Sequence, residues 1–476
     1  MKNFTKQISL ILFLSGFTFF AQTPCSSVGN GAGTALGFPC NGLTLQAHIP
    51  IIDMGGLNYA GSNPMEATDS WGWTDLTYGK EYAIVGMNDG TAFVDISDPI
   101  NPRFLGRLES ETGTSWWRDI KVYNNYAFIV SDSNGNHGMQ VFDLHKLRGA
   151  PTSPGANASM ITFTEDNHMT WGSGSSRGRA HNIIINEDSG YLYVLGASTG
   201  GGSPLMVNIQ DPLGSLSYTV LDAVVSGTYG YCHDAQVVMY DGPDPDYQGR
   251  EILVGAFGNS LKIEIFDVTS KTAPVHISNV TYPNQRYTHQ GWFTEDKRFF
   301  IAGDEEDELI DGVKTKTFVF DMTDLDIPTL HYTFQNTTDA IDHNGYVVGN
   351  RFYLASYMAG MRVMKIDGLY DPVPTMTEVD YFDTYVTSDA ADWYGAWNVY
   401  PFFASGNLIV SDLVEGLIIV KDPNFDNVDP VAVCQPYTAT LDGTTGTVTI
   451  TADDIDGGDD ENQHERDAWH GLTGPP

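Results

Sequence analysis

Hydrophobic and polar positions alternate in short runs along this chain, and the runs recur. Thr91-Ala92-Phe93-Val94-Asp95 ends in the turn Ser97-Asp98-Pro99. The same order returns at Ile263–Asp267 before Val268-Thr269 and at Thr317–Asp321 before Met322-Thr323. Weaker copies end at Asp143 and Asp367, and a last one runs Leu417–Asp422. Period-two alternation in β-branched and aromatic residues predicts strands, and Asp followed by Ser or Thr and then Pro predicts the turn that ends them.

Each unit has a strand ahead of it, as at Tyr126–Val130, Tyr191–Leu195 and Phe352–Ser356, and another behind it, as at Pro274–Val280 and Pro328–Phe334. Four short strands repeating at roughly 40 to 60 residues predict propeller blades. A solenoid is disfavoured because large variable loops interrupt the repeats and neither end forms a polar cap. Inner strands counted from Trp73, Trp117, Ala180, Cys232, Thr288, Asp342 and Ala396 give an all-β, seven-bladed β-propeller over residues 43–424. The last blade has three strands, ending at Asp422. Leu43–Ile49 has the pattern of an outer strand without a blade, so pairing the two would close the ring and remove an exposed edge.

Composition adds the compartment. Lys2 and Lys6 precede an apolar stretch from Ile8 to Phe20 that ends at Ala21-Gln22, the pattern of a signal peptide over residues 1–21. That stretch is too short to span a bilayer comfortably, and no later one is long enough. The expected product is exported, and is either soluble or held by some other anchor. With 60 acidic and 24 basic residues the formal charge is −36, which argues against nucleic acid and anionic lipid as partners. In the segment 22–42, Cys25 and Cys40 flank a Gly-rich stretch and are expected to form a disulfide; Cys232 and Cys434 are left over.

The candidate chemistry lies where the inner strands start. Ala180-His181-Asn182, Cys232-His233-Asp234, Thr288-His289-Gln290 and Asp342-His343-Asn344 place His at one position in four consecutive blades. Trp117-Arg118-Asp119 and Ala396-Trp397-Asn398 continue the pattern in the flanking blades. Inner strands line the axis, so these positions form a ring, and converging imidazoles are suited to a transition metal. Asp234, Asp342 and Gln290 are candidates to fix the His tautomers. A second reading makes the ring an inter-blade hydrogen-bond belt. A third makes it an axial site for an anionic small ligand, bound by Arg118, Asp119, Asn182, Asp234, Gln290, Asn344, Trp397 and Asn398. The runs Asp304–Glu308 with Asp311, and Asp241–Asp246, offer oxygen ligands for Ca²⁺, although a solvated acidic loop is the simpler expectation. Trp71, Trp73, Trp116 and Trp117 suit either core packing or stacking on a sugar or peptide. No nucleophile elbow, metalloprotease helix or P-loop is present.

Several stretches resemble the choice-of-anchor B family of LVIVD-repeat proteins. They include Asp69–Trp73, Glu81–Gly86, Gly113–Asp119, Tyr231–Gln236, Tyr287–Phe293 and Asp342–Tyr346. The resemblance runs from about Leu43 to Asp422. It implies a bacterial surface or secreted protein, and no assigned reaction. Residues 425–476, from Asp429–Cys434 through Thr447–Asp456, resemble the opening of an extracellular β-sandwich repeat that stops short of its second cysteine. The expectation is therefore a monomeric binding module for a protein, glycan or small ligand. The alternative is a metal-dependent enzyme of oxygenase or lyase type centred on the four histidines.

Overall fold

The computed structural model describes residues 23–27, 32–56, 67–150, 161–172 and 178–425. Their strands form seven sheets, one per blade. The inner strands are Ala67–Asp75, Arg118–Tyr123, Asn182–Asn186, Asp234–Met239, Thr288–Phe293, Gly345–Val348 and Ala396–Tyr400, for blades 1 to 7. Each packs beside its two neighbours, and that of blade 7 returns to blade 1. The architecture is the seven-bladed β-propeller expected from the repeats.

The recurring Asp has a local task. Asp95, Asp267, Asp321 and Asp422 each accept a hydrogen bond from the backbone N–H two residues on, at 2.8–3.0 Å. This side-chain turn satisfies the backbone where the third strand ends. In blades 1, 4, 5, 6 and 7 the pairing of third and fourth strands shifts register midway, a recurring bulge that increases the local twist. The core is a ring of layers between blades rather than one central mass. In the first layer Trp73, Tyr82, Ile84 and Phe93 of blade 1 meet Ile120, Ile129 and Phe142 of blade 2. Phe93 and Phe142 stack there at 4.6 Å.

Closure follows the expected pairing. Thr44–Ile49 lies antiparallel to Gly416–Lys421, with Leu417 opposite Ile49 and Lys421 opposite Thr44. The segment before it does more than the sequence indicated. Phe38–Asn41 pairs with the outer strand of blade 6, Thr377–Phe382, and Ala32–Ala35 extends that sheet. Thr23-Pro24 pairs with Thr44-Leu45 on blade 7, and Cys25 is disulfide-bonded to Cys40. One covalent bond therefore ties the edges of blades 6 and 7 where the ring closes.

Two strands differ from expectation. The inner strand of blade 1 begins at Ala67 rather than near Trp73, because a register shift between Ala67 and Ser70 carries buried Thr68, Asp69 and Ser70. Their polarity hides the strand from a hydrophobic pattern. Blade 1 also gains Thr162-Phe163, parallel to its outer strand. The signal-peptide segment 1–21, Cys434 and the tail from residue 426 lie outside the described residues. Among the described residues no helix is long and apolar enough to cross a membrane.

Candidate functional site

Inner strands enter the axis at one face, and there the predicted histidines meet. The ring centroids of His181 and His233 are 4.4 Å apart, those of His233 and His289 4.3 Å, and those of His289 and His343 4.4 Å. Trp397 continues the arc 4.6 Å beyond His343. His233, His289 and His343 are 3%, 1% and 5% exposed. Burial holds His233 and His289 well below the usual imidazole range, reinforced by the neighbouring imidazoles, and holds His343 down at about 3. The rings are therefore neutral at pH 7, the form that binds metals.

The backbone of the next blade sets the tautomers. His233 Nδ1 lies 2.9 Å from the carbonyl oxygen of His289, and His343 Nδ1 lies 2.5 Å from that of Trp397. A carbonyl only accepts, so Nδ1 carries the proton and Nε2 keeps its lone pair. His181 differs, with Nδ1 3.1 Å from Asp132 Oδ2. His289 makes no well-formed hydrogen bond through either ring nitrogen, although the His343 backbone lies close enough to favour its charged form slightly.

Glu305 faces these nitrogens. Its Oε2 lies 3.5 Å from His289 Nε2 and its Oε1 3.5 Å from His343 Nε2, while the Tyr357 hydroxyl donates to Oε1 at 3.0 Å. His233, His289 and Glu305 each offer one ligand atom, all within 4.8 Å of one another. A tetrahedral ion with bonds of about 2.0–2.1 Å needs ligands about 3.3–3.5 Å apart, which is the separation of Glu305 from His289 and from His343, while His233 lies within 4.8 Å of both other ligand atoms. Burial pushes Glu305 up to about 8, and the Tyr357 hydrogen bond only partly offsets it. An isolated carboxyl here is protonated at neutral pH, whereas a bound cation would keep it ionised. Tyr287 approaches His233 edge-on at 5.2 Å and Tyr357 approaches His343 at 4.8 Å, so aromatic rings wall the arc.

One residue further along each inner strand is a second layer. Asn182 donates to the His233 carbonyl at 3.0 Å, Asn398 to the Ser70 carbonyl at 2.6 Å, and Gln290 exchanges two bonds with the Gly345 backbone at 3.0 Å each. Asp119 accepts from Ile183 N at 2.7 Å and from Lys121 Nζ at 2.6 Å. Asn344 reaches Asp69 at 3.4 Å. Burial, then Asp119, raises Asp69 well above the usual carboxylate range. Burial also raises Asp234 to about 7, against the pull of Lys121. This layer stitches blade to blade. Deeper still, Trp71, Trp292, Tyr346 and Phe402 plug the axis with ring separations of 5.0–6.0 Å. Beyond the plug a cavity of about 320 Å³ opens on the opposite face, lined by Val238, Trp292, Val347 and Phe402 among others.

Some predicted residues fall elsewhere. Arg118 does not extend the arc. Its guanidinium turns into the joint between blades 1 and 2, donating to Met87 O at 3.0 Å and Ser110 Oγ at 2.9 Å and meeting His137 Nε2 at 3.0 Å. A buried cation needs those acceptors more than the arc, which offers it only neutral rings and Glu305. Asp234, Gln290 and Asp342 do not fix the His tautomers where the carbonyls of His289 and Trp397 do. Asp304–Glu308 is not a solvated loop: Asp304, Asp307 and Glu308 are 1–2% exposed. In the second acidic loop, Asp244 converges with Asp324 and Asp326, and its carboxylate also receives Asp246 N and Leu325 N. Trp73 is buried against Tyr82, whereas Trp116 is 40% exposed.

The sequence reading offered Glu305 only as one oxygen ligand of an acidic run and missed its place at the axis, which topology could have found. The second strand of blade 5 ends at Asp304, opposite Thr288. The next residue must stand over the start of the inner strand, beside His289.

No family model matches the chain, and no curated protein matches it. The resemblance to the choice-of-anchor B family therefore rests on the sequence motifs alone. Among solved structures the chain is similar to Kuenenia stuttgartiensis hydrazine synthase, with a TM-score of 0.50 and 11% identity over 77% of this chain and 98% of that one. It also matches the β-propeller domain of Myceliophteria thermophila Cps50 (Swd1), at a TM-score of 0.46 and 11% identity over 72% and 93%. At such identity the likeness to the first is one of fold: this chain is a seven-bladed β-propeller.

Proposed function

We propose that the chain is an exported binding propeller whose ligand site is the axial mouth, and that it holds a divalent transition metal there through His233, His289 and Glu305. His343 stands within reach as a further ligand. The observation that carries this is the set of buried, neutral imidazoles facing one carboxylate at 3.5 Å, too long for good hydrogen bonds and matched to the edge of a coordination polyhedron. A mixed nitrogen and oxygen set suits zinc, iron, manganese or copper rather than calcium. The ion would polarise a donor from a bound partner or small ligand entering between Tyr287 and Tyr357. A purely structural arc is the competing reading, in which the rings serve only as packing and as donors to the next blade.

Plasma mass spectrometry on the untagged, exported chain tests this. Near-stoichiometric metal in the parent, absent from His181→Ala/His289→Ala and from Glu305→Gln, is expected. A parent that stays metal-free after incubation with each of the four ions would overturn the metal site and leave the structural arc. Metal-dependent turnover of a substrate would extend the proposal to an enzyme.

A further inference from the structure

The face opposite the histidines carries a cavity with its own chemistry. It holds about 320 Å³ toward the ends of the inner strands of blades 4 to 7. That volume lies at the lower end of the range for small-ligand pockets, about 300–1,000 Å³. Its floor is aromatic. Trp292 and Phe402 line it with ring centroids 5.9 Å apart, and both pack on Tyr346, at 5.0 and 5.7 Å. The Tyr346 hydroxyl donates to Asn398 at 3.0 Å, so the floor is fixed from below. Trp292 and Phe402 are half-buried, as are Val238 and Val348 on the walls.

The polar groups of the cavity are few and differ in kind. Gln236 lines it and is 8% exposed, and its Oε1 accepts from Phe293 N at 2.7 Å. A backbone N–H only donates, so that bond orients the amide and leaves Nε2 as the free end. Among the described residues Nε2 has no hydrogen-bond partner. A side-chain donor buried to that degree normally has one. At the rim stands the Glu295 carboxylate, whose Oε1 accepts from Gly349 N at 2.7 Å. Lys297, also at the rim, is held by Asp241 at 2.8 Å.

We propose that this cavity is a carbohydrate site that takes one pyranose ring of a neutral glycan. A pyranose has an apolar C–H face, which fits the rings of Trp292 and Phe402. Its edge is a rim of hydroxyls, each both donor and acceptor, which matches the Gln236 amide inside and the Glu295 carboxylate at the mouth. A hydrocarbon ring would cover Gln236 Nε2 and give it no acceptor. An anionic ligand would meet Glu295, Asp241 and a chain of formal charge −36. The aromatic plug separates the cavity from the histidine arc, so the site stands independently of the axial metal.

The test is a tryptophan-fluorescence titration of the full chain with the methyl pyranosides of glucose, galactose, mannose, xylose and N-acetylglucosamine. Methyl glucuronide and N-acetyltyrosinamide serve as the anionic and peptide probes. At least one neutral glycoside should bind with a Kd of about 1 mM or below, and neither other probe should match it. Gln236→Met keeps the length and removes the donors, and should raise that Kd about tenfold or more. Val348→Trp places an indole in the cavity and should abolish binding, whereas His233→Ala/His289→Ala should leave it unchanged. If Gln236→Met fails to fold for want of an acceptor for Phe293 N, Val348→Trp on the half-buried wall supplies the comparison. The proposal is overturned if no neutral glycoside binds, if N-acetyltyrosinamide binds in their place, or if binding survives Val348→Trp. Sugar binding that disappears in the histidine variant would move the ligand to the axial mouth and overturn it as well.

Discussion

Two layers of the axial channel, one residue apart on the same strands, treat their polar groups in opposite ways. In the lower layer Asn182, Gln290 and Asn398 spend their amides on the backbone of a neighbouring blade. In the upper layer Nδ1 of His233 and His343 is spent in the same way, but the Nε2 atoms of His289 and His343 face only Glu305, at 3.5 Å. The difference lies in which ring nitrogens are left over for the ligand site proposed above. Stitching needs one ring nitrogen per histidine; a ligand site needs the other.

The largest effect should come from breaking the lower layer. Asn398→Leu strands the Ser70 carbonyl and the Tyr346 hydroxyl, both now bonded to Asn398, in a buried setting. A loss of about 2–4 kcal/mol is expected, read from urea unfolding. If the loss is below about 1 kcal/mol, the layer is not the stitch described here.

Tyr357→Phe removes the hydroxyl that orients Glu305 and leaves the metal-binding atoms in place. Metal affinity should fall about 10–100-fold while unfolding changes little. Unchanged affinity would show that Glu305 needs no positioning.

Asp412, in blade 7, lies between the two cases. Its Oδ1 accepts from Val414 N and Glu415 N at 2.8 Å each, and the Thr384 hydroxyl stands beside the carboxylate. Burial pushes it up to about 6. A folded-state value above the unfolded one means that stability is fully present at low pH and falls as pH rises through the window from about 4 to 6. Asp412→Asn should cancel that fall, gaining about 2 kcal/mol on wild-type between pH 4 and pH 7.5. A difference that does not vary with pH would show that Asp412 does not titrate there.

The smallest change in stability should come from the arc itself. His289→Phe keeps a stacked ring and removes nitrogens that make no well-formed hydrogen bond. In chelated protein its unfolding free energy should stay within about 1 kcal/mol of wild-type. Its metal content should nevertheless vanish. A cost as large as that of Asn398→Leu would make the two layers equivalent and sink the contrast.

Sequence alone determined the blades, their number and the closing strand, because alternation and Asp-capped turns are local devices that each repeat states again. It also placed His181, His233, His289 and His343 at one level, since a repeat position becomes a ring once the sheet closes. It did not reveal the start of blade 1 at Ala67, hidden under Thr68, Asp69 and Ser70, nor the attachment of Phe38–Asn41 to blade 6. Tertiary structure decided which side chains turn toward the axis and which turn away. Arg118 and His181 occupy matching positions, yet Arg118 leaves for Met87, Ser110 and His137 because only there does a buried guanidinium find enough acceptors. Glu305 and Glu308 are three residues apart in one acidic run, yet the chain sends one to the histidines and buries the other elsewhere. Burial, partner and direction are properties of the closed ring, and no local pattern of residues carries them.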